Sequence, residues 1–241
     1  MGGFERDDTC RGFRLTAGER RQFDGQGFLI VTDVVDATTV NKLTRAADRL
    51  TRRWRPVYER DRGLKPHHPL NVLDFIGQDE DFLALIDLPR TFMKVVDILG
   101  WHIQLYHSHM IVTPPLPHGH ELRAVRLGWH QDSGRLNLDI ESSPRPRISL
   151  KVGFFLTDTS QPDRGNFHVV PGSHHTDDLS MPDDDATDHP DAMPVLAGPG
   201  DAVFFDRRLW HSAGRNFSSM TRKVLFYGYS YRWLKPRDDM T

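Results

Sequence analysis

The sequence predicts a mainly β fold with flanking helices. Three observations carry this. Over the first hundred residues most apolar positions recur at helical spacing. From Trp101 onward they gather in short stretches rich in β-branched and aromatic residues. Gly, Pro, Asn and Asp turns separate those stretches. Helices followed by strands, rather than alternating with them, imply a β-barrel core with helices packed outside. At 241 residues the chain suits one domain spanning 1–241, mostly helical over 1–100 with the β core over 101–241. No internal repeat is visible.

The elements follow in order. Residues 1–16 are polar, as loose termini often are. Thr16 and Glu19 have capping-box spacing and open a short helix to about Gln26. Residues 27–32 are apolar, β-branched and entered through Gly27, as a strand is. Asp36 opens a second helix in which Val40, Leu43, Ala46, Ala47 and Leu50 share a face, with a charged, solvated face opposite. Residues 54–70 are charged and contain Pro56, Pro66 and Pro69, which predicts a long loop able to cover a site. Helical spacing returns over 79–100, with Pro89 dividing two helices and Gly100 ending the second.

Residues 101–113 predict a long strand stopped by Pro114-Pro115. Period two puts Leu105, His107, His109, Ile111 and Thr113 on one face. Residues 148–157 are apolar on both faces apart from Ser149 and Lys151, which fits a buried strand. A turn at 162–165 precedes a short strand over 166–170, which Pro171-Gly-Ser-His174 stops. Residues 176–191 hold seven Asp and two Pro. They read as a flexible acidic surface loop, with a substrate lid as the other reading. After the turn at 198–200, residues 202–210 and 222–233 are strands joined by the polar stretch 212–220.

A net charge of −2 gives no basic field for nucleic acid. No apolar run approaches the ~20 residues of a membrane span. There is no secretory h-region, and the single cysteine, Cys10, suits a reducing compartment, so a cytoplasmic protein is expected.

The chemistry centres on His130-Gln-Asp132. In a strand, residues two apart point to one side, so this imidazole and carboxylate converge on a point where a divalent metal can sit. The alternative is a plain His–Asp hydrogen bond. Spacing alone is weak: three His-x-Asp matches exist where composition gives about two by chance. The other two, His175/Asp177 and His189/Asp191, fall in the acidic stretch. Only His130/Asp132 follows a strand-like alternation, Val125, Leu127, Trp129. His211, which ends the largely apolar run 202–210, is the best candidate for a third ligand. The chain then returns through a short connection, so Arg222 can point into the pocket His211 enters. A guanidinium grips carboxylates in bidentate fashion. A metal with open positions beside such an Arg suits 2-oxoglutarate, while a structural ion pair is the competing use of Arg222. Trp129 and Trp210 either line the pocket or pack beside it, and His107 and His109 either face the site or belong to core or surface.

Several segments, in order, resemble the phytanoyl-CoA hydroxylase family of Fe(II)/2-oxoglutarate oxygenases. They are Gln22-Phe-Asp-Gly-Gln-Gly-Phe-Leu-Ile30, Trp129-His-Gln-Asp132, Leu156-Thr-Asp-Thr159 with Arg164 to His174, and Gly200-Asp-Ala-Val-Phe-Phe-Asp206 with Trp210 to Asn216 and Arg222. The resemblance implies a double-stranded β-helix (jelly-roll, cupin-like) core. It implies His130, Asp132 and His211 as catalytic iron ligands and Arg222 as the residue that binds the distal carboxylate of 2-oxoglutarate. Three positions depart from the family: Ala213 replaces a common Ser, with Ser212 beside it; Thr113 replaces a common Lys; Arg164 replaces a common Asn. Ser212, Thr113 and His107 are therefore secondary candidates for contacts to 2-oxoglutarate. The implied reaction uses O2, converts 2-oxoglutarate to succinate, and hydroxylates an unactivated C–H of a small-molecule substrate, as in bacterial secondary metabolism. Related halogenases replace the acid at Asp132 by a small residue, so Asp132 argues for oxidation over halogenation. Cyclisation, desaturation or epimerisation share the same cofactors. A non-catalytic binding protein and a cupin-like metal protein that does not use 2-oxoglutarate are the competing classes.

Overall fold

A computed structural model describes residues 12–117, 119 and 126–236. The polar segment 1–11, with Cys10, and Val125 of the alternation before His130 lie outside the described residues. The described strands form two sheets. The larger has the order β1-β7-β4-β9-β3-β2, and the smaller β6-β5-β8. Their ranges are β1 Phe28–Val31, β2 Leu70–Leu73, β3 Ile103–Thr113, β4 Ser149–Phe155, β5 Phe167–Val169, β6 Met193–Val195, β7 Ala202–Asp206, β8 His211–Ala213 and β9 Arg222–Tyr231. Every named strand pair is antiparallel. This is a double-stranded β-helix, or jelly roll, with helices on one side.

Period-two alternation sorts the large sheet into two faces. Leu150, Val152 and Phe154 of β4, Ala202 and Phe204 of β7, and Leu225, Tyr227 and Tyr229 of β9 pack into one core with the helices. Phe155, Val203, Phe205, Val224 and Phe226, from the alternate positions, meet Phe167 and Val169 of the small sheet in a second core. β4 is buried at every position, as its apolar run predicts. Gly153 has a packing reason: a Cβ there would lie 2.6 Å from a Phe226 ring carbon.

The helices follow their sequence signals. α1 (Ala17–Gln26) has the full Thr16/Glu19 capping box. Gly27 ends it with φ 81°, and a Cβ at Gly27 would lie 2.5 Å from His174 Nδ1, so conformation and packing both require glycine. α2 (Ala37–Arg62) is capped by Asp36 and buries Val40, Leu43, Ala46, Ala47 and Leu50. Its larger aliphatic side chains each contribute about 1.5–3 kcal/mol of transfer free energy.

α2 corrects the predicted loop over 54–70. The helix runs through Pro56 to Arg62, and Gly63 ends it with φ 64°. Proline removes one helical hydrogen bond. Here Pro56 and Arg52, whose carbonyl loses its partner, are both exposed to water. Trp54 and Tyr58 keep the extension seated on the core, and Trp54 Nε1 donates to Gln78 at 2.7 Å. The predicted division at Pro89 is present: α3 is Glu80–Leu83 and α4 is Pro89–Leu99, with Gly100 as its cap. Between α2 and α3 the sequence reading missed β2, a four-residue edge strand.

Strand β3 carries a second correction. Its register with β9 shifts between Leu105 and His107. A bulge adds a residue to one strand and flips the alternation beyond it. Leu105 accordingly packs with Met110 and Val112 in the helix-side core rather than sharing the face of His107. Further on, the predicted strand over 202–210 ends at Asp206, a turn intervenes, and His211 starts β8 in the other sheet.

Candidate metal and cosubstrate site

A cavity of about 430 Å³ opens between the sheets. His107, His109, His130, Asp132, Lys151, His211, Ser212 and Arg222 contribute to its lining. His130 and His211 are brought together by their own backbones, not by a regular strand. Each N–H donates to the other's carbonyl at 3.0 Å, an isolated bridge that sets their rings 4.3 Å apart between centroids. Residues 127–129 are not a strand, so the predicted alternation does not place His130; this bridge does. Asp132 is tied by its N–H to the carbonyl of Arg207 at 2.9 Å. Ser133 then turns the chain sharply, with φ 64° and ψ 46°.

One donor atom from each of His130, Asp132 and His211 falls within 4.8 Å of the others, the one such group among the described residues. Nδ1 of His130 donates to the Gly128 carbonyl at 2.9 Å, and Nδ1 of His211 to the Leu209 carbonyl at 2.8 Å. A carbonyl only accepts, so both Nδ1 atoms carry a proton, and Nε2 of each ring is the atom left to meet a metal, as in metal-ligating imidazoles. Burial pushes the His211 imidazole down to about 4, which keeps it neutral at ordinary pH. Burial opposes the Asp132 charge, but Lys151 and the two histidines outweigh it and hold the carboxyl well below its ordinary range. Asp132 Oδ2 is buried with no hydrogen-bond partner. Two imidazole nitrogens and a carboxylate oxygen without a partner among the described residues fit a divalent cation.

The rest of the lining follows the register. On β4, β9 and β3 the inward row Lys151–Gly228–His107 is followed by Gly153–Phe226–His109 and then Phe155–Val224–Ile111. Arg222 begins β9 opposite Thr113. It is 3% exposed, its Nε has no partner, and it stacks 5.5 Å over the Phe155 ring. Burial pulls its guanidinium down to about 10, and no carboxylate among the described residues offsets it. A buried cation without an anion is strongly unfavourable, so this end of the cavity fits a ligand carboxylate.

The structure places the predicted residues unevenly. His130, Asp132, His211, Arg222, Ser212 and His107 all line the one cavity, and His109 joins them. Thr113 is buried beside Arg222 but lines a smaller neighbouring cavity with His67 and His68. Trp129 and Trp210 do not line the main cavity; Trp129 donates to Asp188 instead, at 2.8 Å. Arg222 reaches His211 by a route other than the predicted one. β7 and β9 are separated by β4, and β8 lies in the facing sheet, so the two residues line one cavity from opposite sheets. The acidic stretch is fastened, not free: Arg126 donates to the carbonyls of Pro182, Asp184 and Thr187, and the Asp188 carboxylate also accepts from the Leu127 N–H. His175/Asp177 and His189/Asp191 form no ligand group among the described residues.

Sequence reasoning missed Lys151. Its Nζ donates to Asp132 Oδ1 at 2.8 Å, and the side chain is almost wholly buried. The available signal was a lysine in an otherwise apolar strand buried on both faces, where an unpaired cation is rare.

Comparison with known proteins assigns this fold to a class. Residues 23–224 match the family described as Phytanoyl-CoA dioxygenase (PhyH), and the chain belongs to that family. The uncharacterized protein Rv1501 of Mycobacterium tuberculosis is 26% identical over 214 residues, covering 88% of this chain and 74% of that one. Among solved structures, HygX from Streptomyces hygroscopicus with nickel and 2-oxoglutarate bound matches with a TM-score of 0.71 at 19% identity, over 92% of this chain and 90% of HygX. The non-heme alpha ketoglutarate dependent carbocyclase SnoK from nogalamycin biosynthesis matches with a TM-score of 0.67 at 21% identity, over 94% of each chain. Among the described residues no helix is long and apolar enough to cross a membrane.

Proposed function

We propose that this member of the PhyH family is an Fe(II)- and 2-oxoglutarate-dependent oxygenase that hydroxylates an unactivated C–H of a small molecule, in secondary metabolism. Residues 1–241 are read as one catalytic unit, since the large sheet takes strands from both ends of the chain. The single cysteine favours the cytoplasm as its place of work. The observation that carries the reading is Arg222: a buried guanidinium without an acid, in the same cavity as three convergent metal-ligand side chains.

His130, Asp132 and His211 would hold iron(II), and Arg222 would receive the distal carboxylate of 2-oxoglutarate. Bound iron(II) supplies the activation of O2 coupled to conversion of 2-oxoglutarate to succinate. The protein's part is orientation and exclusion of side reactions. Gly128 and Leu209 carbonyls fix the two imidazole tautomers. Phe167, Phe205 and Phe226 give the cavity an apolar wall. His107 and His109 sit on the β3 face of the same cavity, placed to meet substrate; Ser212 lies directly after the ligand His211. Thr113 flanks Arg222 from behind.

The protein loaded with iron(II) is expected to release succinate when 2-oxoglutarate, O2 and a metabolite library are supplied. Arg222→Ala should raise the KM for 2-oxoglutarate by about a hundredfold, the loss of a buried charge pair. Turnover that needs no 2-oxoglutarate and survives this substitution would overturn the assignment. Product mass separates outcomes: a gained oxygen marks hydroxylation, whereas loss of two hydrogens marks ring closure or desaturation, and an unchanged mass epimerisation. The likeness to a carbocyclase keeps ring closure as the second reading.

A further inference from the structure

The metal-ligand pattern accounts for Asp132 but not for the ammonium attached to it. We propose that Lys151 holds Asp132 to one-oxygen coordination and so reserves a metal position for the cosubstrate. This rests on reading His130, Asp132 and His211 as a metal site.

Lys151 lies in the middle of β4, paired with Phe205 of β7 on one side and Gly228 of β9 on the other. Its chain neighbours Leu150 and Val152 are locked in the helix-side core. The strand therefore cannot shift, and Nζ is delivered to one spot. That spot is Asp132 Oδ1, at 2.8 Å, with the Phe205 ring 6.0 Å from the ammonium. Asp132 is the one acid among the residues lining the cavity, so Lys151 has no second carboxylate to turn to there. The two carboxylate oxygens are thus unequal: Oδ1 is bound by a buried cation, and Oδ2 is buried with no partner.

A carboxylate with both oxygens free can grip a cation through both. In a three-ligand site that second oxygen would occupy a position needed by the keto-acid end of 2-oxoglutarate. Oδ1 can join the metal only by giving up its charged hydrogen bond, which would leave the buried Lys151 ammonium without its carboxylate. Lys151 is therefore a positioning residue. Its positive charge also opposes the metal, so it weakens metal binding while protecting cosubstrate binding.

The two effects have opposite signs, and the test reads both. Nickel(II) binding is measured by calorimetry on metal-free protein, and 2-oxoglutarate binding on the nickel-loaded protein. Lys151→Met is expected to bind nickel about tenfold more tightly, because a like charge is gone and Asp132 has lost its competing partner. It is expected to bind 2-oxoglutarate about tenfold more weakly, the scale of a lost ligand-orienting contact. The visible spectrum of its cobalt(II) form should shift, reporting altered coordination. Lys151→Arg, which keeps charge and hydrogen bond, should restore both affinities towards wild type. If the Met variant does not fold, Lys151→Leu, uncharged and without a donor, is read for the same two signs. General damage to the fold weakens both ligands together, and that outcome, or unchanged affinity for either, overturns the proposal. Wild-type protein that binds no nickel overturns the metal-site reading instead.

Discussion

The two ends of the cavity hold their charges in opposite ways. At the metal end the groups that do not face the ligand position are satisfied among the described residues: two Nδ1 atoms by carbonyls and Asp132 Oδ1 by Lys151, which leaves the two Nε2 atoms and Asp132 Oδ2. At the other end Arg222 is equally buried, yet no group among the described residues neutralises it. The first end is preorganised by internal bonds and loses little by waiting for its ligand. The second carries a standing electrostatic penalty that an incoming dianion removes. The difference teaches that stability and function are in conflict at Arg222 and nearly reconciled at Asp132.

The largest effect is expected at the preorganised end. His211→Ala should weaken nickel(II) binding by more than about a hundredfold, beyond the loss typical of a contact outside the ligand set. Differential scanning calorimetry should then find no nickel-induced rise in Tm. An undiminished rise would break the contrast, because the metal end would no longer depend on this ligand.

The next effect has the opposite sign. Arg222→Met should stabilise the ligand-free protein by about 1–3 kcal/mol, since it removes a buried cation without an anion. Urea denaturation checks this, and the gain should disappear when 2-oxoglutarate is present in excess over its Kd on nickel-loaded wild type. A destabilised Met variant would mean that the guanidinium is already compensated.

The smallest effect sharpens the contrast with a third buried group, one that avoids Arg222's penalty by staying neutral. His174 donates from Nε2 to the Asp24 carbonyl at 3.0 Å, and its buried Nδ1 has no hydrogen-bond partner among the described residues. Burial holds its imidazole down at about 4. The unfolded chain takes up this proton near the ordinary 6.5, the folded chain only near 4. The contribution is therefore complete above about pH 6.5 and is lost as the pH falls toward 4, by about 1–2 kcal/mol. His174→Gln should flatten that part of the stability–pH profile measured by urea midpoints at pH 7 and pH 5.

Much of this was readable from residue order. The capping box at Thr16, the aliphatic stripe of α2, the doubly buried β4 and the Pro-Gly-Ser-His stop each obey a local rule, and each appears as expected. The candidate site was readable as residue types: His130, Asp132, His211 and Arg222 stood out before any geometry. Errors arose where packing overrode a local rule. Pro56 normally ends a helix, but Trp54 and Tyr58 had a core to cover, and the broken hydrogen bond faces water. The bulge between Leu105 and His107 leaves no local trace, because an extra residue shows only against its partner strand.

Sequence alone determined which atoms are available: two imidazoles, one carboxylate and one guanidinium, on a chain patterned for a β sandwich with helices outside. These follow from side-chain chemistry and from periodicities that local backbone geometry enforces. Tertiary structure decided how the atoms meet. His130 reaches His211 through a backbone bridge rather than a strand, Arg222 faces their cavity from the opposite sheet, and Lys151 finds Asp132 because β4 is clamped between two neighbours. Each is a pairing between segments far apart in the chain, and the free energy that selects such pairings comes from burial and register, which no single segment carries.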